Sequence, residues 1–379
     1  MKHKGIALIA MLLMICLLAA CGAPAQPEAV ETPQPAVIDL TVEEPQAEET
    51  PAPAPEQTAA PTPEPTPEPT PEVALSNTSG KPVDASVPYR PVIVSIENAA
   101  AARPQTGLMN ADIVYEFLVE SHITRFQALF SDDVPSYVGP VRSARYYFID
   151  LQQEWNGMYA HIGYTRLSGK YSRGWDNCAI HISGGEHFWR IQQDGVASEH
   201  TMYLHLQDLV NAEYGDHRPN RDERFLFEAG VAYDGAQQVS RVDVPFTTKT
   251  DIYYTYDAAT GRMLRFQDGK AFMVRTPNDA GSYTSEQVAV NNLIIQHCTY
   301  GMVPASAQPG ENKGRRSVEL TGTGACEYII NGQLMTGTWE RATLNDFTRY
   351  YLADGSLVTL EPGNTWIEVI PNNQEIKIS

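Results

Sequence analysis

Two arginines, Arg142 and Arg145, flank Ser143-Ala144 in "VGPVRSARYYFID" (138–150), directly after Gly139-Pro140 and before an apolar run. A guanidinium is costly to bury, and it presents a planar fork of donors matched to phosphate or carboxylate oxygens. Ser143 is a residue type that caps helices. A helix opening there would aim its free N–H groups, and the positive end of its dipole, at the same place. Arg125 in "HITRFQ" and Arg103 in "ARPQTG" are further guanidinium groups that could converge on it. The chemistry implied is anion binding. Asp112 and Glu116, four apart on a predicted strand and so on one face, are the carboxylates placed to orient these arginines or to act as acid and base beside them. The alternative is structural, with Arg142 and Arg145 paired to Asp112, Glu116 or Asp150 in a buried network.

His161, at the end of another predicted strand, is the candidate proton carrier. His181, His187, His200 and His205 are scattered without the helical spacing of a zinc protease, so no metal site is predicted. The chain has no G-x-S-x-G elbow and no C-x-x-C pair. "TGTGAC" (321–326) lies between strands and reads as a tight turn, not a dinucleotide loop. None of these motifs implies a cofactor.

The elements that must carry these residues follow from periodicity. "PVIVSIEN" from Pro91 is a short β-branched strand; "ADIVYEFLVE" (111–120) and "ITRFQALF" (123–130) alternate and are separated only by Ser121-His122, which predicts a hairpin. Ala144, Tyr147, Phe148, Leu151 and Trp155 then repeat at helical spacing, with Ser143 as the N-cap, and "GMYAHIGY" (157–164) returns to a strand. "GEHFWRIQQ" (185–193) and "YLHLQDLVNAEYG" (203–215) read as helical. Beyond residue 240 the turn signals Ala259-Thr260-Gly261, Asp268-Gly269, Asn331-Gly332 and Asp354-Gly355 sit between alternating runs and predict hairpins. The fold class expected is α+β, with a mixed-sheet α/β domain at 85–235 followed by a mainly antiparallel β domain at 240–375.

The N-terminus fixes the address. MKHKG, an apolar run of about 15 residues and then Leu18-Ala19-Ala20-Cys21 make a secretory leader at 1–20, too short to span a bilayer comfortably. The last four residues resemble the lipobox of bacterial lipoproteins, whose cysteine is diacylated, so Cys21 is the expected lipidation site. Residues 21–84 then form a Pro/Glu/Thr-rich tether expected to be disordered. "PTPEPTPEPTPE" (61–72) favours extended polyproline II, which keeps a head away from the membrane. Of the formal charge of −19, eleven carboxylates in residues 22–80 account for −11 and Lys2 and Lys4 for +2, which leaves −10 on residues 81–379. An acidic head on an acidic stalk excludes nucleic acid as a partner. The partners expected are the membrane through the lipid anchor, a cell-wall or phospho-ligand, and an envelope protein; the location is the extracytoplasmic face of the cell membrane. Cys178, Cys298 and Cys326 cannot all pair within one chain, so Cys298 and Cys326 either form a bridge or remain buried thiols.

"RPVIVSIEN", "ARPQTGL", "ADIVYEFLVE", "ITRFQALF" and "VGPVRSARYYFIDL", with "GTGACEYIINGQLMTGTWER" and "LEPGNTWIEVIP" further on, resemble the YerB-like lipoprotein family, defined by domains of unknown function. The resemblance implies an exported, membrane-tethered protein and supplies no activity. A fainter likeness, in the order acidic strand, strand and Arg-rich turn, is to the LytR–CpsA–Psr cell-wall ligases. It implies, as an alternative to binding, an enzyme acting on phosphorylated lipid-linked wall precursors. A third expectation is a structural scaffold between membrane and wall.

Overall fold

The computed structural model describes residues 74–172, 180–219, 225–278, 282–308, 310 and 314–379. The leader, Cys21, the tether up to residue 73 and Cys178 lie outside the described residues.

The β-branched and aromatic runs form strands, and among the described residues eleven of them join in one sheet. In chain order its members are β1 (Val92–Glu97), β2 (Ile113–Leu118), β3 (Thr124–Phe130), β4 (Met158–His161) and β5 (Ile180–Ser183). The later half supplies β6 (Gln237–Gln238). After it comes a second sheet, built from β7 (Arg241–Asp243), β8 (Ile252–Asp257), β9 (Arg262–Gln267), β10 (Lys270–Ala271) and β11 (Ala289–Val290). The chain then returns to the first sheet with β12 (Asn292–Cys298), β13 (Gly322–Ile330), β14 (Gln333–Arg341), β15 (Arg349–Leu352) and β16 (Thr365–Pro371), and closes the second with β17 (Lys377–Ile378). Strand order in the large sheet is β6-β14-β13-β12-β16-β2-β3-β1-β4-β5, with β15 also on β14.

The predicted hairpin forms as β2–β3, from Ile113 opposite Leu129 to Leu118 opposite Thr124; Ser121 and His122 turn the chain with φ of 60°. The Asp268-Gly269 and Asn331-Gly332 turns close β9–β10 and β13–β14, with positive φ at all four residues, as two-residue hairpins require. "TGTGAC" is not a turn: Gly322–Cys326 open β13. The Trp339 indole lies against Gly324 so closely that an added Cβ there would meet its nitrogen at 2.4 Å.

Helix is scarcer than expected. The described residues contain two α-helices, α1 (Tyr146–Trp155) and α2 (Leu206–Glu213), so the chain is mainly β. Within 185–193, Phe188–Arg190 is instead a strand, paired antiparallel with Met202–Leu204. Its alternating residues find a cross-strand partner there, and that pairing outweighs a helical spacing only nine residues long.

The expected tether also ends early. Ala74–Leu75 pairs with Pro82–Val83, and the turn between them is tied down by buried hydroxyls that bind acidic side chains of the hairpin ends. Nor does the boundary expected near 235–240 separate two sheets. β16, from the far end of the chain, lies parallel to β2 on one side and to β12 on the other, so strands from both segments share one ladder, and the described residues form one compact unit. α1 covers one face of the large sheet through Tyr147, Phe148, Leu151 and Trp155; the second sheet and α2 cover the other. Cys298 and Cys326 are free, buried thiols.

Candidate functional site

The arginines gather at one edge of the large sheet, where β1, β2 and β4 end and β3 begins. Arg142–Ala144 does not open a helix. Arg142 N–H donates to Ser95 O (2.8 Å), Ala144 N–H to Gly163 O (3.0 Å) and Ile162 N–H to Arg142 O (3.2 Å). With these groups committed to extended pairing between β1 and the end of β4, the helix cannot start before Tyr146; Arg145 takes the N-cap position, and Ser143 makes no cap.

The carboxylates that hold the arginines are not those expected. Arg142 Nε donates to Glu97 Oε1 (3.0 Å) and its Nη2 to Glu199 Oε1 (3.1 Å), while His200 Nδ1 takes the other Glu97 oxygen at 2.9 Å. Arg145 forks onto both oxygens of Glu120, and Arg315 adds a contact at 3.6 Å. Burial alone would raise the Glu120 carboxyl, but the hydrogen bonds and charge of Arg145 outweigh it and hold it down at about 2.

Arg125 is different. It is 7% exposed and its Nη1 donates to Ser143 O (2.7 Å), but its Nε has no hydrogen-bond partner and no carboxylate pairs with it among the described residues. Burial first, and then the charge of Arg145, lower its pKa to about 9. The charges of Glu120 and Glu97 offset this only in part, and neither carboxylate forms an ion pair with it.

His161 stands beside this edge, as expected, but with little capacity for proton transfer near neutrality. Its Nδ1 bonds Gly163 O (2.8 Å) and its Nε2 faces His181 Nε2 at 2.6 Å. Burial, and then His181, push its pKa down to about 3. Arg103 belongs to a neighbouring contact: it binds Asn98 and reaches Asp268 at 2.6 Å.

Neither Asp112 nor Glu116 orients these arginines. Four residues along a strand cover about 13 Å, so sharing a face does not mean sharing a site. Asp112 precedes β2 at the opposite end of the hairpin from Glu120. Glu116 turns inward between the sheets and pairs with Arg265 at 2.9 Å. The partners missed by the sequence reading are Glu97, Glu120, Glu199, His200 and Arg315. Glu97 had a signal: it is the one charge closing the apolar run "PVIVSIE".

The arrangement can bind. Both Glu97 oxygens are taken, by Arg142 and His200, and both Glu120 oxygens by Arg145, and among the described residues no group of three or more acidic, histidine or cysteine side chains is placed to hold a metal ion. What remains without a directly paired carboxylate, among the described residues, is Arg125.

Comparison with known proteins finds two family profiles, one on each side of residues 219–241. The profile described as the N-terminal domain of a protein of unknown function (DUF3048) matches residues 78–218, and that of its C-terminal domain matches 242–367. "Putative lipoprotein YerB" of Bacillus subtilis is 29% identical over 298 residues, covering 76% of this chain and 84% of that protein. The crystal structure of the YerB protein superposes with a TM-score of 0.65 at 26% identity, over 81% of this chain and 99% of that one.

Proposed function

The chain belongs to the DUF3048 family, and from that premise we propose that it is a membrane-anchored envelope lipoprotein whose head binds an anionic, phosphate-class ligand at the arginine edge. The observation that carries the binding half is Arg125, buried without a carboxylate partner between two arginines that have theirs. A phosphate oxygen would supply the missing charge and accept from the orphaned Nε. The alternative, an enzyme acting on phosphorylated precursors, would need a carboxylate free to take a proton or a magnesium ion beside the arginines; Glu97 and Glu120 are both saturated.

Pyrophosphate should raise the unfolding free energy of the wild-type chain by about 1–3 kcal/mol when present well above its dissociation constant. Arg125→Met should remove that protection while the ligand-free protein melts no lower than wild type, because the change deletes a buried charge held by one carbonyl and no carboxylate. Thermal unfolding with and without ligand reads both. No ligand effect on wild type, or a large loss of ligand-free stability in Arg125→Met, would show the guanidinium to be structural.

The likeness to a protein described as a lipoprotein supports the anchoring half, together with the lipobox at Cys21. Among the described residues no helix is long and apolar enough to cross a membrane. Cys21→Ser should shift the protein from the membrane fraction to the medium, or leave its leader uncleaved, when fractions are probed by immunoblot. Unaltered membrane retention with normal maturation would sink the assignment.

A further inference from the structure

We propose that a cavity at the opposite end of the β2–β3 hairpin is a second binding site, separate from the arginine edge, and that it takes an amine-bearing sugar with its ammonium seated on Asp112. The cavity measures about 580 Å³ and lies among residues 75–89, the open ends of the hairpin, and Arg262, Asn291 and Asn364. That volume is within the range of small-molecule sites.

Asp112 is 6% exposed and lines the cavity. Its Oδ2 is fully engaged, accepting from Thr78 Oγ1 (2.9 Å) and from Asp132 N–H (3.1 Å). Its Oδ1 has no hydrogen-bond partner among the described residues. Asp132 stands beside it with both oxygens taken by the hydroxyls of Ser76 and Ser79. Neither carboxylate forms a salt bridge among the described residues; Asp132 is exposed, whereas Asp112 is withdrawn from water with no cation in contact, and the charge of Lys81 on the cavity wall offsets its burial only in part. Burial, and then the charge of Asp132, raise the Asp112 pKa to about 8. At neutral pH the empty site therefore favours a protonated Asp112, whose open oxygen faces the cavity without a cation in contact.

The geometry points to an ammonium and away from a metal ion. Three of the four carboxylate oxygens already accept hydrogen bonds from the protein, leaving one open, whereas a calcium or magnesium ion needs several oxygens at once. An ammonium needs one strong acceptor and can donate its other hydrogens to water or to its own hydroxyl neighbours. Around that acceptor the wall is divided: Val83, Val87 and Met109 are apolar, Asn291 and Asn364 are polar, and Lys81 and Arg262 carry positive charge without bonding Asp112. A sugar ring, with an apolar C–H face and a hydroxylated rim, matches both.

The test uses the full chain at pH 7 with D-glucosamine as probe and D-glucose as its neutral counterpart, read by saturation-transfer NMR and calorimetry. Glucosamine should bind at least tenfold tighter than glucose. Its binding should release a proton, visible as a heat that changes with the ionisation enthalpy of the buffer. Asp112→Asn keeps the side chain's size and should abolish the preference; Val87→Trp, at a position 66% exposed, should block the cavity without touching the core. Equal binding of the two sugars, no binding of either, or a preference surviving in Asp112→Asn would overturn the proposal. Protection by calcium alone that is lost in Asp112→Asn would overturn it in favour of a metal site.

Discussion

Replacing Arg265 with alanine is expected to lower the unfolding free energy by about 3–5 kcal/mol, as when one partner of a buried ion pair is removed. Arg265 and Glu116 are both 0% exposed, between the two sheets. Arg265 Nη2 lies 2.9 Å from Glu116 Oε2 and donates to Gln267 Oε1 at 3.0 Å, and the guanidinium lies 4.5 Å from the Phe272 ring centre. Glu368 of β16 is the register partner of Glu116 and bonds the Tyr254 hydroxyl. Two buried carboxyls thus share one cation. Burial, and then the charge of Glu116, raise the Glu368 pKa well above the usual carboxylate range, so Glu368 holds its proton.

The sign of the pH dependence follows. A carboxyl whose pKa is raised on folding binds its proton more tightly in the folded chain, so its contribution is complete below the unfolded value of 4.5 and declines as pH rises above it. Arg265→Ala leaves both acids without a cation, and its deficit should shrink toward pH 5, where protonation relieves the stranded charge. Glu368→Gln should keep the fold and flatten the alkaline decline. Urea unfolding of the three proteins between pH 5 and 9 measures this. A deficit under about 1 kcal/mol, or one independent of pH, would mean that the cluster is hydrated and not sealed.

This cluster also shows what the sequence could disclose. Glu116 was visible as a carboxylate in a strand, and the β2–β3 hairpin, the α1 face and the Asn-Gly and Asp-Gly turns were legible because each is set by residues within about ten positions of one another. The Arg142 and Arg145 pair is legible as a local concentration of positive charge. Its partners were not legible: Glu120 is near in sequence, but Glu199 and Arg315 arrive from distant segments. Ser143 was misplaced as a cap because helix propensity says nothing of Gly163, whose carbonyl captures the next N–H and keeps the chain extended. Asp112 was assigned to the wrong end of the hairpin, since spacing fixes a face and leaves distance along the strand out of account. Least visible was β16. "TWIEVIP" reads as one more strand of a C-terminal sheet, and nothing local tells that both its edges are occupied.

That insertion leads to the largest effect expected. A fragment of residues 85–235, the segment the sequence suggests as a domain, should not unfold cooperatively on its own. β2 runs from Ile113 to Leu118 with every residue buried, and β16 supplies one of its two hydrogen-bonding neighbours, from Ile113 opposite Thr365 to Phe117 opposite Val369. All seven residues of β16 are buried as well, and Trp366 packs edge-on against Phe126 at 5.4 Å. Without β16 and the second sheet, β2 becomes an apolar edge and the face carrying Val114, Leu118 and Phe126 loses its cover, a template for aggregation. Glu116 would be left without Arg265. Co-expressing 74–235 with 236–379 should restore a cooperative melt, and a protease cut between 230 and 245 should leave the two pieces bound to each other through size-exclusion chromatography. A monomeric 85–235 fragment with a sharp thermal transition would mean that the shared ladder is dispensable. The cohesion of the head would then have to come from within each segment, and the Arg265 cluster would be a contact between folded domains, not part of a common core.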